Sequence, residues 1–126
     1  MTKVFIDGSA GTTGLRIADR LKERSDIELI TLPDAERKDP ERRKEAVNLA
    51  DICFLCLPDE AAKETVAMVE NPDTAVIDTS TAHRVSPDFV YGFPEITGRD
   101  RIKNSKRIAN PGCHATGFIS LIFPLV

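Results

Sequence analysis

The 126-residue sequence has no excess of positive charge, since 17 lysines and arginines against 20 aspartates and glutamates leave a net charge of −3. It therefore lacks the basic footprint that nucleic-acid binding needs. No apolar run is long enough to cross a bilayer. Met1-Thr2-Lys3 leads straight into an expected strand with no export signal before it, so the expected compartment is the cytosol. Cysteine is scarce, and its odd count of three argues against a disulfide framework. Cys53 and Cys56 form a C-x-x-C, but there is no second such pair and there are only two histidines. No metal site is expected. Both cysteines fall in the apolar run 51–58, which reads as a strand covered on both faces, with residues three apart pointing to opposite sides. They are expected in the core. The densest positive group, residues 37–44, is interleaved with Asp39 and Glu41 and flanked by Glu36 and Glu45, and reads as a solvated helix face.

What is present alternates strand and helix. Lys3-Val4-Phe5-Ile6-Asp7 predicts a strand, Gly8-Ser9-Ala10-Gly11-Thr12-Thr13-Gly14 a turn, and Leu15, Ile17, Ala18 and Leu21 recur at helical spacing. Further strands are predicted at 27–32, 51–57, 75–78 and 107–109, with helices at 40–48, 60–70 and 116–123. This rhythm predicts one α/β domain over residues 1–126. Its expected form is a Rossmann-like, doubly wound, mostly parallel sheet with helices on both faces.

Two turns carry chemistry. The G-x-x-G-x-x-G spacing departs from G-x-G-x-x-G but meets the same demands of tight turn, close approach to a pyrophosphate and close helix packing. Phosphate is expected at the helix N-terminus, with a purely structural turn as the alternative. Asn110-Pro111-Gly112 places Cys113 just before a predicted helix. Free N–H groups and the helix dipole there favour thiolate over thiol and can bind an oxyanion. The alternative is a small buried apolar side chain. Leu57-Pro58 and Asp78-Thr79-Ser80-Thr81-Ala82-His83-Arg84 also follow strands, so cofactor platform and nucleophile are expected to face one cleft. Arg84 is placed to fork onto a phosphate or carboxylate, with a plain surface arginine as the alternative. His83 is expected in a surface hydrogen-bonding role. His114, about 100° round the helix from Cys113, is not expected to be its base. Asp34, twenty positions past Gly14, suits the ribose hydroxyl of NAD, whereas Arg37 and Lys38 suit the 2′-phosphate of NADP.

Taken in order, Gly8-Ser9-Ala10-Gly11-Thr12-Thr13-Gly14, Asp78-Thr79-Ser80-Thr81-Ala82-His83-Arg84, Tyr91-Gly92-Phe93-Pro94-Glu95 and Asn110-Pro111-Gly112-Cys113-His114-Ala115-Thr116-Gly117 resemble the shorter, type 2 form of the N-acetyl-gamma-glutamyl-phosphate reductase family. The resemblance runs along essentially the whole chain. It implies NADPH-dependent reductive dephosphorylation of N-acetyl-glutamyl 5-phosphate to the 5-semialdehyde, in arginine biosynthesis, through a thioester on Cys113. Under it, Gly8, Ser9, Ala10, Gly11, Thr12, Thr13, Gly14, Arg37, Lys38, Leu57 and Pro58 hold NADP(H), and Arg84 and Asn110 face the small-molecule acyl phosphate. It also implies a homo-oligomer when intact, and a second α+β domain bearing a catalytic histidine and the dimer interface. These 126 residues are then expected to be the N-terminal portion, binding nucleotide but showing little reductase activity alone. The apolar stretch 118–126 is expected to be covered in the whole protein and to promote self-association without it. Two other readings stay open: a non-catalytic dinucleotide-binding module with a structural Cys113, and a reductase of aspartyl or aminoadipyl phosphate.

Overall fold

The computed structural model describes residues 1–126. Its strands are β1 (Thr2–Asp7), β2 (Ile27–Ile30), β3 (Ile52–Leu55), β4 (Ala75–Asp78), β5 (Val90–Tyr91) and β6 (Arg107–Ala109). Its helices are α1 (Thr12–Lys22), α2 (Pro40–Leu49), α3 (Asp59–Met68), α4 (Pro94–Thr97), α5 (Arg99–Lys103) and α6 (Cys113–Ile122). The strands make one sheet in the order β2-β1-β3-β4-β6-β5. Every pairing is parallel, a stricter result than the mostly parallel sheet expected. Right-handed crossovers run leftward through α1 and rightward through α2 and α3, which puts α1 on one face and the other two on the opposite face. In register, Asp7 stands opposite Leu55, Leu55 opposite Asp78, and Asp78 opposite Ala109. Four strands thus finish in one row, and the loops after them leave from one edge. No helix is long and apolar enough to cross a membrane.

The main core lies between the sheet and α2 and α3. Phe5, Cys53, Leu55 and Val76 from the strands meet Ala46, Val47, Ala50 and Ala62. The predicted strand at 51–57 is shorter than expected, ending at Leu55, and it alternates: Cys53 and Leu55 are buried while Ile52 and Phe54 are half-buried. Cys56 lies past the strand and is only half-buried, so just one of the two cysteines is a core residue. The edge strand β5 and the short helices α4 and α5 went unpredicted, because two- to five-residue elements leave too little periodicity to read. They give Tyr91-Gly92-Phe93-Pro94-Glu95 a scaffolding position. Tyr91 pairs with Ala109 beside the turn into α6, and Phe93 is buried.

The segment 37–44 corrects a second expectation. Asp39 caps α2 by accepting from the Glu41 N–H at 3.0 Å, and Pro40 occupies the first turn. The helix is rich in charge, and it presents Arg43 inward with Ala46 and Val47. The Arg43 Nε and Nη2 donate to Asp7 Oδ2 at 3.2 and 2.9 Å, and Nη2 also donates to Thr65 Oγ1 at 2.6 Å. The Thr65 hydroxyl in turn donates to Asp7 Oδ2 at 2.7 Å. All three residues are buried. A charge pattern cannot show this, because the partner carboxylate lies 36 positions away. In contrast, α6 exposes Phe118 and Leu121, and Phe123, Leu125 and Val126 beyond it are exposed as well.

Removing one member of a buried ion pair strands the other. Arg43→Ala is expected to lower the unfolding free energy in urea by about 3–5 kcal/mol. A loss below about 1 kcal/mol, the scale of a surface pair, would show that Asp7 finds water instead.

Candidate functional site

Strand order reverses direction between β1 and β3, and ligands of open α/β sheets bind at such a switch point beyond the carboxyl ends. A cleft of ≈ 580 Å³ opens there, lined among others by Gly8, Ser9, Ala10, Leu32, Leu57, Arg37 and Lys38. The glycine turn is shaped by contact. Gly8 has φ +89°, and a Cβ on it would overlap the Cys56 carbonyl oxygen; a Cβ on Gly14 would overlap the Gly8 carbonyl oxygen. Gly11 differs, because a Cβ there would meet only Gly8 O at 3.5 Å. No protein atom requires that glycine, which leaves the approach to the start of α1 open for a ligand. The helix begins at Gly11 with no side-chain cap and no acidic residue in its first turn, so its first N–H groups are free for an anion.

Arg37 offers a second fit. Its Nε lies 3.3 Å from Asp34 Oδ1, yet off the line of a hydrogen bond, and is buried without a partner. Asp34 is almost fully exposed and ion-paired to Arg37. The two side chains that pointed to rival cofactors therefore sit together on one rim, with a donor left to satisfy. These residues fit a phosphorylated dinucleotide.

A second hollow of ≈ 320 Å³ adjoins α6, lined by Thr13, Thr79, Arg84, Asn110, Pro111, Gly112, Cys113, His114 and Ala115. Helix α6 starts at Cys113 rather than at Thr116 as expected, with Gly112 as its uncapped N-terminal residue. The first helical bond runs from Thr116 N to Gly112 O at 2.9 Å, so the N–H groups of residues 113–115 face the hollow without helical partners. Cys113 is exposed. Its Sγ lies 3.8 Å from His114 Nδ1, closer than the helical offset suggested, because neither side chain is confined by packing in this first turn. Thr13, from the glycine turn, shares this hollow with Cys113.

Some of the expected site residues are gathered and others are not. Gly8, Ser9, Ala10, Leu57, Arg37 and Lys38 line the larger cleft, and Thr13, Arg84, Asn110 and Cys113 the smaller. Gly11, Thr12, Gly14 and Pro58 line neither. Gly14 serves packing, and Pro58 is the residue before α3, its carbonyl accepting from Ala62 N at 2.9 Å. Arg84 spends two donors on backbone, Nε on Asn110 O and Nη2 on Thr79 O, both at 3.1 Å. His83 is not a surface residue: its side chain is 12% exposed, and Nδ1 meets the fully buried Asp78 Oδ2 at 2.5 Å. Sequence reasoning missed this pair, although the Asp-x-x-x-x-His spacing after a strand was its available signal.

Residues 3–105 match the family described as semialdehyde dehydrogenase, NAD binding domain. The chain is 59% identical over 125 residues to N-acetyl-gamma-glutamyl-phosphate reductase 2 of Pseudomonas putida, covering 98% of itself and 40% of that protein. It is 56% identical over 124 residues to the N-acetyl-gamma-glutamyl-phosphate reductase of Burkholderia ambifaria, covering 97% and 39%. It thus spans about two fifths of the length of these relatives. Among solved structures, aspartate semialdehyde dehydrogenase with NADP from Candida albicans superposes with a TM-score of 0.65 at 18% identity, over all of this chain and 47% of that one. Aspartate semialdehyde dehydrogenase II complexed with ASA from Vibrio cholerae gives 0.63 at 16% identity, over 98% and 45%. At such identities these two speak to the fold alone.

The three thiols are expected to differ in reactivity. Burial pushes the Cys56 thiol up, and it pushes Cys53 up further, with Asp7 adding to the effect. Because the thiolate is the nucleophile, each rise delays alkylation to higher pH. Iodoacetamide at pH 8, followed by peptide mass analysis, should label Cys113 first. Cys56 should follow only as the pH is raised further, and Cys53 only in denaturant. Equal labelling of Cys56 and Cys113 would contradict this order.

Proposed function

Because the chain belongs to the semialdehyde dehydrogenase NAD-binding domain family, we propose that it is the nucleotide-binding and nucleophile-bearing portion of an NADPH-dependent N-acetyl-gamma-glutamyl-phosphate reductase. The carrying observation is that Thr13 of the glycine turn and Cys113 line one hollow. A dinucleotide laid along the turn would then present its far end to the thiol. The proposed substrate is the acyl phosphate of N-acetyl-glutamate, the proposed compartment the cytosol, and the intact assembly a homo-oligomer.

In this mechanism Cys113 Sγ attacks the acyl carbon, the bond to phosphate oxygen breaks, and inorganic phosphate leaves with the electron pair. The N–H groups at the start of α6 hold the oxyanion of the tetrahedral intermediate, each donor being worth a few kcal/mol. The chain then carries a thioester on Cys113. Bound NADPH supplies the hydride that reduces this thioester. As the resulting thiohemiacetal collapses, Sγ leaves as thiolate and the aldehyde is released. Gly11 and the first turn of α1 receive the pyrophosphate, and Arg37 with Lys38 hold the 2′-phosphate. The unpartnered Nε of Arg37 and the ion pair that occupies Asp34 favour NADP over NAD. Asn110 and the remaining N–H groups of Arg84 face the substrate anion.

Two measurements test the reading. Incubation with N-acetyl-glutamyl 5-phosphate should add one acyl group to Cys113, detected by mass, with none added to Cys113→Ser. Absence of the adduct on the parent would sink the nucleophile assignment. Arg37→Ala should weaken NADPH binding about tenfold, the scale of a charge-assisted hydrogen bond, while leaving NADH nearly unchanged. Tighter binding of NADH than NADPH by the parent would reverse the cofactor choice.

A further inference from the structure

We propose that His83 is a positioning residue for Cys113: its hydrogen bond to buried Asp78 fixes the loop 79–84, whose last residue, Arg84, straps the turn 110–112 that aims Sγ into the hollow. The proposal rests on the functional reading above only for why that aim matters.

Asp78 ends β4 and is fully buried. An ionised carboxylate only accepts hydrogen bonds, and this one receives three: Ser80 N and Ser80 Oγ, each at 2.9 Å, and His83 Nδ1 at 2.5 Å. With the carboxylate ionised, the tautomer that fits this contact has its proton on Nδ1. The imidazole is also stacked on Phe89, with centroids 4.2 Å apart and planes 18° from parallel. Its position is thus set from its polar edge and its apolar face together. On the outer side of the loop, Thr81 gives both N–H and hydroxyl to Asp59, a pairing that holds the Asp59 carboxyl below the usual carboxylate range. The chain is anchored at Ser80, Thr81 and His83, directly before Arg84.

Arg84 then crosses to the loop after β6. Asn110 is fixed at both ends of its backbone, its N–H on Asp78 O at 2.8 Å and its carbonyl on Arg84 Nε at 3.1 Å. The guanidinium lies so close to Gly112 that a Cβ there would come within 2.5 Å of Nη1. Gly112 is the residue from which α6 departs. A planar group held by two carbonyls has little freedom to rotate, so it sets where the first turn of α6 begins. His83 itself lines neither hollow. It touches no expected ligand and acts through Arg84.

The test is the iodoacetamide rate at Cys113 in the 126-residue protein, with NADPH affinity measured beside it. His83→Phe keeps the stack on Phe89 and deletes the donor. It should slow Cys113 alkylation by about fivefold or more, as expected within one hydrogen-bond network. NADPH affinity should stay within about twofold, since His83 is absent from the larger cleft. His83→Asn, whose amide nitrogen falls where Nδ1 stood, should restore the rate. In an Arg84→Lys background His83→Phe should add little further loss, because the strap is already gone. Alkylation of folded His83→Phe at the parental rate would overturn the proposal, as would a full independent loss in the Arg84→Lys background. If His83→Phe does not fold, His83→Gln replaces it. Its amide reaches the Nε2 position instead, and an unchanged rate there overturns the proposal equally. A parent protein that fails to bind NADPH would overturn the cofactor reading while the alkylation rates still decide the role of His83.

Discussion

The contact between the Gly8 backbone and the Cys56 carbonyl joins the end of β1 to the end of β3, and Gly14 packs against Gly8 in turn. Three elements are locked by backbone alone, at distances that no side chain permits. The lock determines where α1 begins, and the start of α1 determines where an anion can sit. It also carries Thr13 toward the loop after β6, so that the larger cleft and the smaller hollow share the glycine turn between them.

Two buried aspartates do parallel work in this frame. Asp7 and Asp78 close their strands in the same row, with Leu55 between them. Asp7 turns to the helices, gripping α2 through Arg43 and α3 through Thr65. Asp78 turns to the loop that follows it, gripping Ser80 and His83. In each case a carboxylate removed from water is satisfied by several donors, the condition under which burying a charge is tolerable. One fastens the layers that support the nucleotide cleft. The other fastens the loop beside Cys113.

The sequence made the scaffold legible because its elements announce themselves locally. Apolar runs of strand length, a glycine turn before amphipathic residues, and Pro-Gly before Cys113 each carry their own periodicity or turn chemistry. The boundaries of β4 and β6 were read to the residue. What escaped was decided between distant positions. Arg43 looks like one more solvated cation until Asp7 and Thr65 are folded beneath it, and His83 looks like a surface histidine until Phe89 and Asp78 enclose it. The reach of His114 toward Cys113 also escaped, since helical geometry fixes backbone directions and not the rotamers of exposed side chains. Arg84 lay between: its place beside Cys113 was readable, its use of two donors on backbone carbonyls was not.

Helix α6 carries its thiol at one end and bare hydrocarbon, Phe118 and Leu121, along the rest. Leu121 lies eight positions beyond Cys113, about 12 Å along a stiff rod. Whatever grips the far portion of that rod acts on it as a tiller, and a few degrees of swing there become a displacement of the sulfur relative to the Arg84 guanidinium. The Cys113 thiol is thereby mechanically coupled to a greasy handle well outside its own hollow.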